Sequence, residues 1–371
     1  MSSIPHLDRG RRWPLVLIVA LVVVLAAGWS VLWYYAAGVA ETKIPELRAR
    51  GSQAGYRVDC GRQTLGGFPF RIELRCTGVD VELRNAALAI TLKEVLAAVQ
   101  VYQPTLALAE MTAPLILGQM GRTPEWTANW TLAQASVRGL PGPLERVSLA
   151  FDKPDLARSA GGARAPFARA EHFEVHARQA PRLPQDPPAT DLAINFTKAS
   201  VPGVAKIPDQ PIDGEIAATL RGLNDFRPRP LARVLRDLQA ANGRLDVTRA
   251  RIRQGEILAV GQGTLTLTPR GMLDGQIQLT VAGLEQLVVV LGVDKAIGQA
   301  SQRALDRYVP GLNLDQLLGP RGNAAVAAAG VAMLGQPAEL EGRQAVALPL
   351  RFADGVIFLG PLKVGEMQPL F

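Results

Sequence analysis

An uncharged apolar segment near the N-terminus constrains this chain more than any other feature of its sequence. Residues 15–37 contain no charged side chain, and a helix needs about 20 mostly apolar residues to cross the hydrocarbon core of a bilayer. Aromatic residues, which favour the headgroup layer, lie toward the far end of the segment, namely Trp29, Trp33, Tyr34 and Tyr35. The segment therefore predicts one membrane-spanning helix.

Basic residues predict the orientation of this helix. Arg9, Arg11 and Arg12 precede it, and positively charged flanks tend to stay in the cytoplasm. We therefore expect residues 1–14 to be a cytoplasmic tail and the chain after the anchor to be exported. The alternative is a cleaved signal peptide with its site at the small residues 38–40, although the apolar run exceeds the roughly 7–15 residues of a signal-peptide core. Both alternatives export the remaining chain.

The charge of the chain does not favour a nucleic-acid partner. The formal net charge is +7 over 371 residues, and part of it lies in the basic tail before the anchor. A nucleic-acid surface needs Lys and Arg clustered on one face or stripe. The sequence has no such cluster interleaved with aromatic residues, so we expect no nucleic-acid partner.

The two cysteines are the expected site of a structural crosslink. Cys60 and Cys76 flank a predicted hairpin whose turn, at residues 66–69, contains Gly and Pro. If the chain reverses at Phe68, the two cysteines lie directly opposite each other, with Cα atoms about 4.5–5.5 Å apart, a spacing that a disulfide tolerates. An oxidising exported compartment favours the bond. Two buried thiols or half of a metal site are the alternatives.

Alternation of apolar and polar residues predicts strands over the first part of the exported chain. After a helix at residues 39–53, we expect mainly strands from residue 56 to about residue 198. A change of parity at Thr77 and Gly78 predicts a bulge. Segments rich in Pro, Gly and Ala, at residues 154–166 and 181–190, are typical of loops.

The second part mixes helices with strands. A helix is predicted over residues 230–241, a β meander of period two over residues 244–282, and helices again over residues 283–335. Asp354 and Gly355 form a strong signal for a hairpin turn between two final strands. Strands with interspersed helices and no βαβ rhythm predict an α+β fold with antiparallel sheets.

Few residues offer catalytic or metal-binding chemistry. His172 and His176 are the only histidines after the anchor, and they alternate with Phe173 and Val175, which predicts a strand with a polar face. No third ligand lies near them in the sequence, and the glycine-rich segments lack the spacing of a phosphate-binding loop. We therefore expect no catalytic residue, no metal site and no cofactor.

Three segments resemble one protein family. They are GGFPFRIELRC (66–76), VYQPTLALAEM (101–111) and DGVIFLGPLKVGEMQPLF (354–371), and they are similar to an alphaproteobacterial domain-of-unknown-function family, number 2125. Its members have one N-terminal membrane segment and a periplasmic domain. The resemblance implies an inner-membrane protein with a cytoplasmic N-terminus and a periplasmic bulk, and it implies no activity. More distantly, residues 261–287 resemble the meanders of AsmA-like envelope proteins, some of which form β grooves that move phospholipid.

Together these observations predict an α+β fold with one N-terminal transmembrane helix and a β-rich periplasmic domain. In that domain a curved antiparallel sheet forms a groove or half-barrel with packed helices. We divide the domain into a first β-rich part, residues 38–205, and a second α+β part, residues 206–371. The sequence leaves open that the two parts form one continuous unit.

Two classes of function remain open. In the first, the apolar face of the sheet is a partly open groove that accepts a phospholipid or another acyl chain. The candidate lining residues are Leu265, Leu267, Ile277, Leu279 and Val281. In the second, helices cover that face, and the chain is a structural or assembly factor that contacts an envelope protein. Its contact surface is then a sheet edge or an arginine-bearing helix face formed by Arg229, Arg233 and Arg236.

Overall fold

One long N-terminal helix and one large antiparallel sheet make up the structure. The computed structural model describes residues 13–140, 142–160, 163–181, 187–202, 210–223, 230–291, 325, 328–330, 332–333 and 335–371. Within these residues the sheet has 19 strands, and it does not close into a barrel. A few short helices accompany it. The predicted fold class, a transmembrane-type helix followed by a β-rich domain of antiparallel sheet with helices, is confirmed.

The predicted anchor is part of a longer helix. Helix α1 spans Trp13–Gln53, so the predicted anchor and the helix predicted at residues 39–53 are both helical and form one continuous helix. Gly38 does not end the helix, because the residues on either side of it are good helix formers. The chain leaves the helix only at Gly55, whose φ is +92°. A rise of about 60 Å is twice the thickness of the hydrocarbon core. Among the described residues, this is the one helix long and apolar enough to cross a membrane.

The remaining elements follow one another with short connections. The helices are α2 (Leu231–Ala240), α3 (Leu284–Leu291) and a short 3₁₀ helix (Arg84–Ala86). The strands are β1 (Tyr56–Gly66), β2 (Arg71–Leu83), β3 (Leu88–Gln100), β4 (Gln103–Gln119), β5 (Trp126–Asn129), β6 (Leu132–Arg138), β7 (Arg146–Asp152), β8 (Asp155–Ala160), β9 (Ala163–Arg169), β10 (His172–Gln179), β11 (Ala189–Ala199), β12 (Ile212–Arg221), β13 (Arg244–Gln254), β14 (Ile257–Leu267), β15 (Leu273–Ala282), β16 (Gln336–Leu340), β17 (Arg343–Ala353), β18 (Val356–Leu359) and β19 (Leu362–Glu366).

Nearly every strand pairs antiparallel with a strand close to it in the chain. Strands β1 to β4 pair in chain order. Strand β4 then pairs with both β5 and β6, which lie end to end, and β7 joins β6 to β10. Strands β10 to β15 again pair in chain order, and β17 lies between β15 and the pair β16 and β18. Strands β11 and β12 pair across residue 205, so both predicted parts contribute to one sheet.

Most predicted elements in the second part are confirmed. Helix α2 and the meander of β13, β14 and β15 lie within the predicted ranges. Asp354 and Gly355 have φ values of +50° and +81°, as a two-residue hairpin turn requires. Of the helices predicted over residues 283–335, α3 is described, as are helical residues at 325, 328–330 and 332–333, and the rest lies outside the described residues.

The loop predicted at residues 154–166 is wrong, because β8 and β9 form a hairpin there. Ala157 is fully buried, and β8 also pairs with β5, so small side chains permit close packing. Pro166 is tolerated because β9 pairs with β8 and lies at an edge, where a missing N–H is not needed. The loop predicted at residues 181–190 lies partly outside the described residues, and β11 begins at Ala189.

Candidate functional site

One face of the sheet is apolar along a continuous line of paired residues. Residues that face each other across antiparallel strands lie on the same side of a sheet, so the register can be followed from strand to strand. One such line runs from β1 to β17 without a polar side chain. Its members are Leu65, Leu74, Ala97, Ala109, Ala135, Leu149, Val175, Ile194, Ile216, Ala250, Gly261, Leu279 and Leu348. At about 4.8 Å between strands, the line is some 55–60 Å long.

The lines of paired residues on either side of the first line are also apolar. Two residues along each strand in one direction, the paired residues are Ala133, Phe151, Phe173, Phe196, Gly214, Ile252, Ala259, Val281 and Val346. In the other direction they are Val137, Val147, Ala177, Leu192, Ala218, Val247, Gly263, Ile277 and Leu350. On β13 the step is three residues, from Ala250 to Val247, because the register shifts there. We call the surface that these three lines form the apolar face.

The opposite face is mainly polar. The line next to the first one, one residue along each strand, contains Thr64, Arg75, Leu96, Glu110, Gln134, Ala150, Glu174, Asn195, Glu215, Arg251, Val260, Thr280 and Ala347. A sheet with one apolar and one polar face is built to keep water on one side only. We call this second surface the polar face.

Helix α1 lies over the apolar face at the β1 end and leaves a cavity beneath it. The cavity has a volume of about 440 Å³. Its walls are Ile44 and Leu47 of the helix together with Tyr56, Val58, Cys60, Leu74, Cys76, Val79, Val81, Leu92, Val95 and Ala97 of the sheet, and Arg48 completes the lining. Arg48 is the one charged residue among these described side chains. The cavity is therefore apolar with a single cation at its wall.

Arg48 is held by neutral partners. Its Nη2 donates hydrogen bonds to Gln63 Oε1 at 2.6 Å and to Cys60 Sγ at 3.3 Å. Among the described residues, no carboxylate lies within ion-pairing distance of it. A guanidinium without a counter-ion in an apolar wall is suited to a phosphate or carboxylate group of a ligand.

Helices cover the apolar face at its other end. Leu284 and Leu287 of α3, with Ala328 and Ala332, pack against Leu348 and its neighbours on β15, β17 and β18. Leu348 and Val281 are fully buried there. This end of the sheet is thus an ordinary hydrophobic core.

Between these two ends the apolar face is only half-buried. Leu149, Val175, Ile194 and Ile216 each retain part of their side-chain exposure. Of the described helices, α1 packs against β1, whereas α2 and α3 pack against β14. The central strands therefore present apolar side chains that no described helix covers.

The five predicted lining residues all lie on the apolar face. Leu265 and Leu267 are half-buried, and the register places them opposite Gly275 and Leu273. Ile277, Leu279 and Val281 lie at the covered end, where Leu279 packs against the Leu284 and Leu348 cluster. Sequence periodicity placed the five on one face but missed Arg48 and the central residues. Ile44 and Leu47 also escaped it, although their spacing of three is a helical signal.

The predicted disulfide joins Cys60 and Cys76, with Cα atoms 5.5 Å apart. The predicted pairing is wrong in register, because Cys60 lies opposite Val79 and Cys76 lies opposite Gln63. No bulge forms at Thr77 and Gly78, because β2 pairs with β1 and with β3 through these residues without a shift in register, so the predicted bulge is wrong. Gly78 has a φ of +64°, so the strand changes parity and Cys76 and Val79 both face the cavity.

The two histidines lie on the polar face. His172 Nδ1 is 2.6 Å from Asp152 Oδ1, and its Nε2 is 2.7 Å from Glu174 Oε1. Hydrogen bonds to Glu174 and then to Asp152 raise the pKa of His172 above its ordinary value. The hydrogen bond from His172 in turn lowers the pKa of Glu174. Within the described residues, no group of three or more His, Cys, Asp or Glu side chains is arranged to hold a metal ion.

This arrangement predicts a small pH-dependent contribution to stability. The raised pKa of His172 means that its charged pairing stabilises the fold below about pH 6.5 and is lost as the pH rises through the folded-state value. Because the pKa of Glu174 is lowered, the contribution of its carboxylate to the stability of the fold is lost when the carboxylate is protonated in acid. We expect Glu174→Gln to lower the free energy of unfolding by a few tenths of a kcal/mol near pH 5.5 and to change it less near pH 8.5. Urea titrations at the two pH values measure the difference, and an equal loss at both would contradict it.

The arginine-bearing helix face proposed as a contact surface is only partly described. Arg233 and Arg236 lie on α2, and Arg229 lies outside the described residues. The guanidinium of Arg236 lies 5.9 Å from the ring centre of Phe371, so one of the two described arginines contacts the chain's own C-terminus.

These features define a class of protein in which one long apolar N-terminal helix precedes an unclosed antiparallel sheet with an apolar and a polar face. The chain belongs to the DUF2125 family, described as uncharacterized proteins conserved in bacteria, whose model matches residues 33–368. The resemblance of three segments to this family is confirmed. No comparison bears out the AsmA-like resemblance of residues 261–287, and no curated protein matches the chain.

Proposed function

We propose that this chain is a non-catalytic protein of the bacterial inner membrane, anchored by α1, that binds the acyl chains of lipid along its apolar face in the periplasm. The uninterrupted apolar line from Leu65 to Leu348 carries the proposal. If the apolar residues served only to form a hydrophobic core, they would be needed only where a second layer of structure covers the sheet. This line continues through Leu149, Val175 and Ile194, which no described helix covers.

The energetics of acyl chains favour such a surface. Exposing an acyl chain to water costs about 0.8 kcal/mol for each CH₂ group. A chain that leaves the bilayer for an apolar surface avoids most of that cost, and so it exchanges between the two with little change in free energy. Arg48 in the cavity beneath α1 supplies a cation for a phosphate headgroup.

Contacts between the anchor and the sheet support retention of α1 over its cleavage. The helix is continuous through residues 38–40, and the indole N–H groups of Trp29 and Trp33 donate hydrogen bonds to Pro69 in the β1–β2 turn and to Arg71 at the start of β2. Cleavage at residues 38–40 would remove both indoles. The basic residues before the anchor support a cytoplasmic N-terminus.

The proposal is tested by photocrosslinking from lipid. The full-length chain is reconstituted in vesicles of phosphatidylethanolamine and phosphatidylglycerol that contain a phospholipid with a diazirine on its acyl chain. We expect crosslinks on peptides of β10, β11 and β12. Ile194→Asp should reduce them about tenfold, because a carboxylate against an acyl chain costs more than about 1.4 kcal/mol.

Asn195→Asp is the matched control, since it introduces the same carboxylate one residue away on the polar face. It should leave the crosslinks to β10–β12 unchanged. Circular dichroism confirms that both variants fold. Equal crosslinking in the two variants, or none in the unmodified chain, would contradict lipid binding, and capture of one envelope protein by the lipid-free chain would then favour the assembly-factor alternative.

A further inference from the structure

The turn between β1 and β2 lies against the anchor helix. Trp29 Nε1 donates a hydrogen bond to the carbonyl oxygen of Pro69 at 2.7 Å, and Trp33 Nε1 donates one to the carbonyl oxygen of Arg71 at 2.8 Å. Indole N–H groups need a partner when they are withdrawn from water. Pro69 in the turn and Arg71 at the start of β2 provide these partners from their backbones, so this end of the hairpin is held beside Trp29 and Trp33.

Two phenylalanines of the turn remain exposed at that level. Phe68 has ring-centre distances of 5.4 Å to Trp33 and 6.0 Å to Tyr34, and Phe70 lies 6.2 Å from Trp29. Even so, Phe68 is 50% exposed and Phe70 is 61% exposed. The exposed sides of both rings therefore contact the medium that surrounds α1 at the position of Trp29 to Tyr34.

Chain geometry places this height at the outer boundary of the hydrocarbon core. About 20 residues span the core, and counting from Leu15 reaches Tyr34. Strand β1 has 11 residues and extends about 36 Å, which equals the rise of α1 from Trp29 to Gln53, also about 36 Å. The hairpin therefore runs back along the whole extramembrane part of the helix, and its turn beside Trp29 lies about 7–8 Å inside the boundary that this count sets at Tyr34.

A second turn lies at the same edge of the sheet. The backbone N–H of Val101, in the β3–β4 turn, donates a hydrogen bond to the carbonyl oxygen of Phe70 at 3.0 Å. The next residue, Tyr102, is 65% exposed. Phe68, Phe70 and Tyr102 thus form one exposed aromatic rim beside the anchor, and aromatic residues favour the boundary between hydrocarbon and headgroups.

We infer that this aromatic rim inserts into the outer leaflet of the membrane that holds α1, and that the apolar face thereby begins inside the lipid. The inference rests on the proposed function only in requiring that α1 stays in the membrane. Leu65 and Leu74, the first pair of the apolar line, are a few residues from the turn. The apolar face is therefore continuous with the leaflet, and a lipid that binds this face, as the proposed function states, enters it without crossing water.

Fluorescence quenching at defined positions tests the inference. The environment-sensitive dye NBD is attached to Phe70→Cys in the full chain, in vesicles of phosphatidylethanolamine and phosphatidylglycerol. The native cysteines are joined in a disulfide and do not react with the dye. Met120→Cys is the matched control, because Met120 lies in the β4–β5 turn at the opposite ends of the strands and is 36% exposed.

We expect nitroxide groups on the lipid acyl chains to quench the dye at position 70 several-fold more strongly than at position 120, and aqueous iodide to show the reverse order. Tyr102→Cys provides a second position on the rim if the Phe70 variant does not fold. Iodide quenching at both rim positions as strong as at position 120 would overturn the inference. Quenching reports the position of the rim alone, so a rim in the bilayer together with absent crosslinks to β10–β12 would refute lipid binding and leave the inserted rim intact.

Discussion

Removal of the Cys60–Cys76 disulfide is expected to lower the free energy of unfolding by about 3 kcal/mol, since the bond closes a loop of roughly 15 residues in the unfolded chain. The separation of the two cysteines is 16 residues. The bond lies in the wall of the cavity beneath α1, where Cys76 is buried with Val79 and Leu92. Its loss therefore loosens the end of the sheet that adjoins the anchor.

Urea titration of the detergent-solubilised chain measures this effect. The Cys60→Ala/Cys76→Ala double variant and the reduced unmodified chain should lose similar stability. A reductant should have no effect on the double variant, which separates loss of the bond from other actions of the reagent. Unchanged stability after verified reduction would contradict a structural role for the disulfide.

Leu348→Ala is expected to cost about 2–5 kcal/mol, because it removes buried methyl groups and leaves a cavity that the surroundings fill only in part. Leu348 is fully buried and contacts Leu284 and Leu359 in the cluster that joins α3 to the sheet. The same substitution in the half-buried centre of the apolar face should cost less.

Leu108→Ala is the matched control for this prediction. Leu108 is 44% exposed on the polar face of β4, so its truncation should change the free energy of unfolding by no more than about 0.5 kcal/mol. Both variants are compared with the parent by urea titration. A Leu348→Ala loss as small as that of Leu108→Ala would mean that α3 does not pack stably on the sheet.

Local signals in the sequence predicted much of the fold. The alternation in β14 and β15 and the Asp354-Gly355 turn were sufficient because each concerns only neighbouring residues. The parity change at Gly78 was also visible, since it interrupts a local pattern. Such features need no information about distant strands.

Other features depend on pairing over long distances and escaped prediction. Alternation at Cys60 and Cys76 showed that both face one side, but the turn geometry that sets Cys60 opposite Val79 has no sequence signal of comparable strength. Strands β8 and β9 were missed because Ala and Pro are poor strand formers, and pairing with β5 overrides that preference.

The candidate site was predictable only in part for the same reason. The alternation of residues within one strand identifies the apolar side of that strand, and Leu265, Leu267 and Ile277 were placed correctly on it. Nothing in one strand states that Val175 faces Ile194 and Ile194 faces Ile216. The cavity beside Arg48 requires the fold of α1 onto β1, which no local pattern specifies.

Because the strands pair in near chain order, the length of the sheet is set by the number of its strands. Because β10 to β15 pair successively, an additional hairpin at a turn would lengthen the apolar face by about 9–10 Å and leave the strands already present in register. Deleting a hairpin would shorten it by the same amount. The distance from α1 to the far end of the sheet is thus set in steps of two strands, and insertions that would disrupt a closed barrel would here change only that distance.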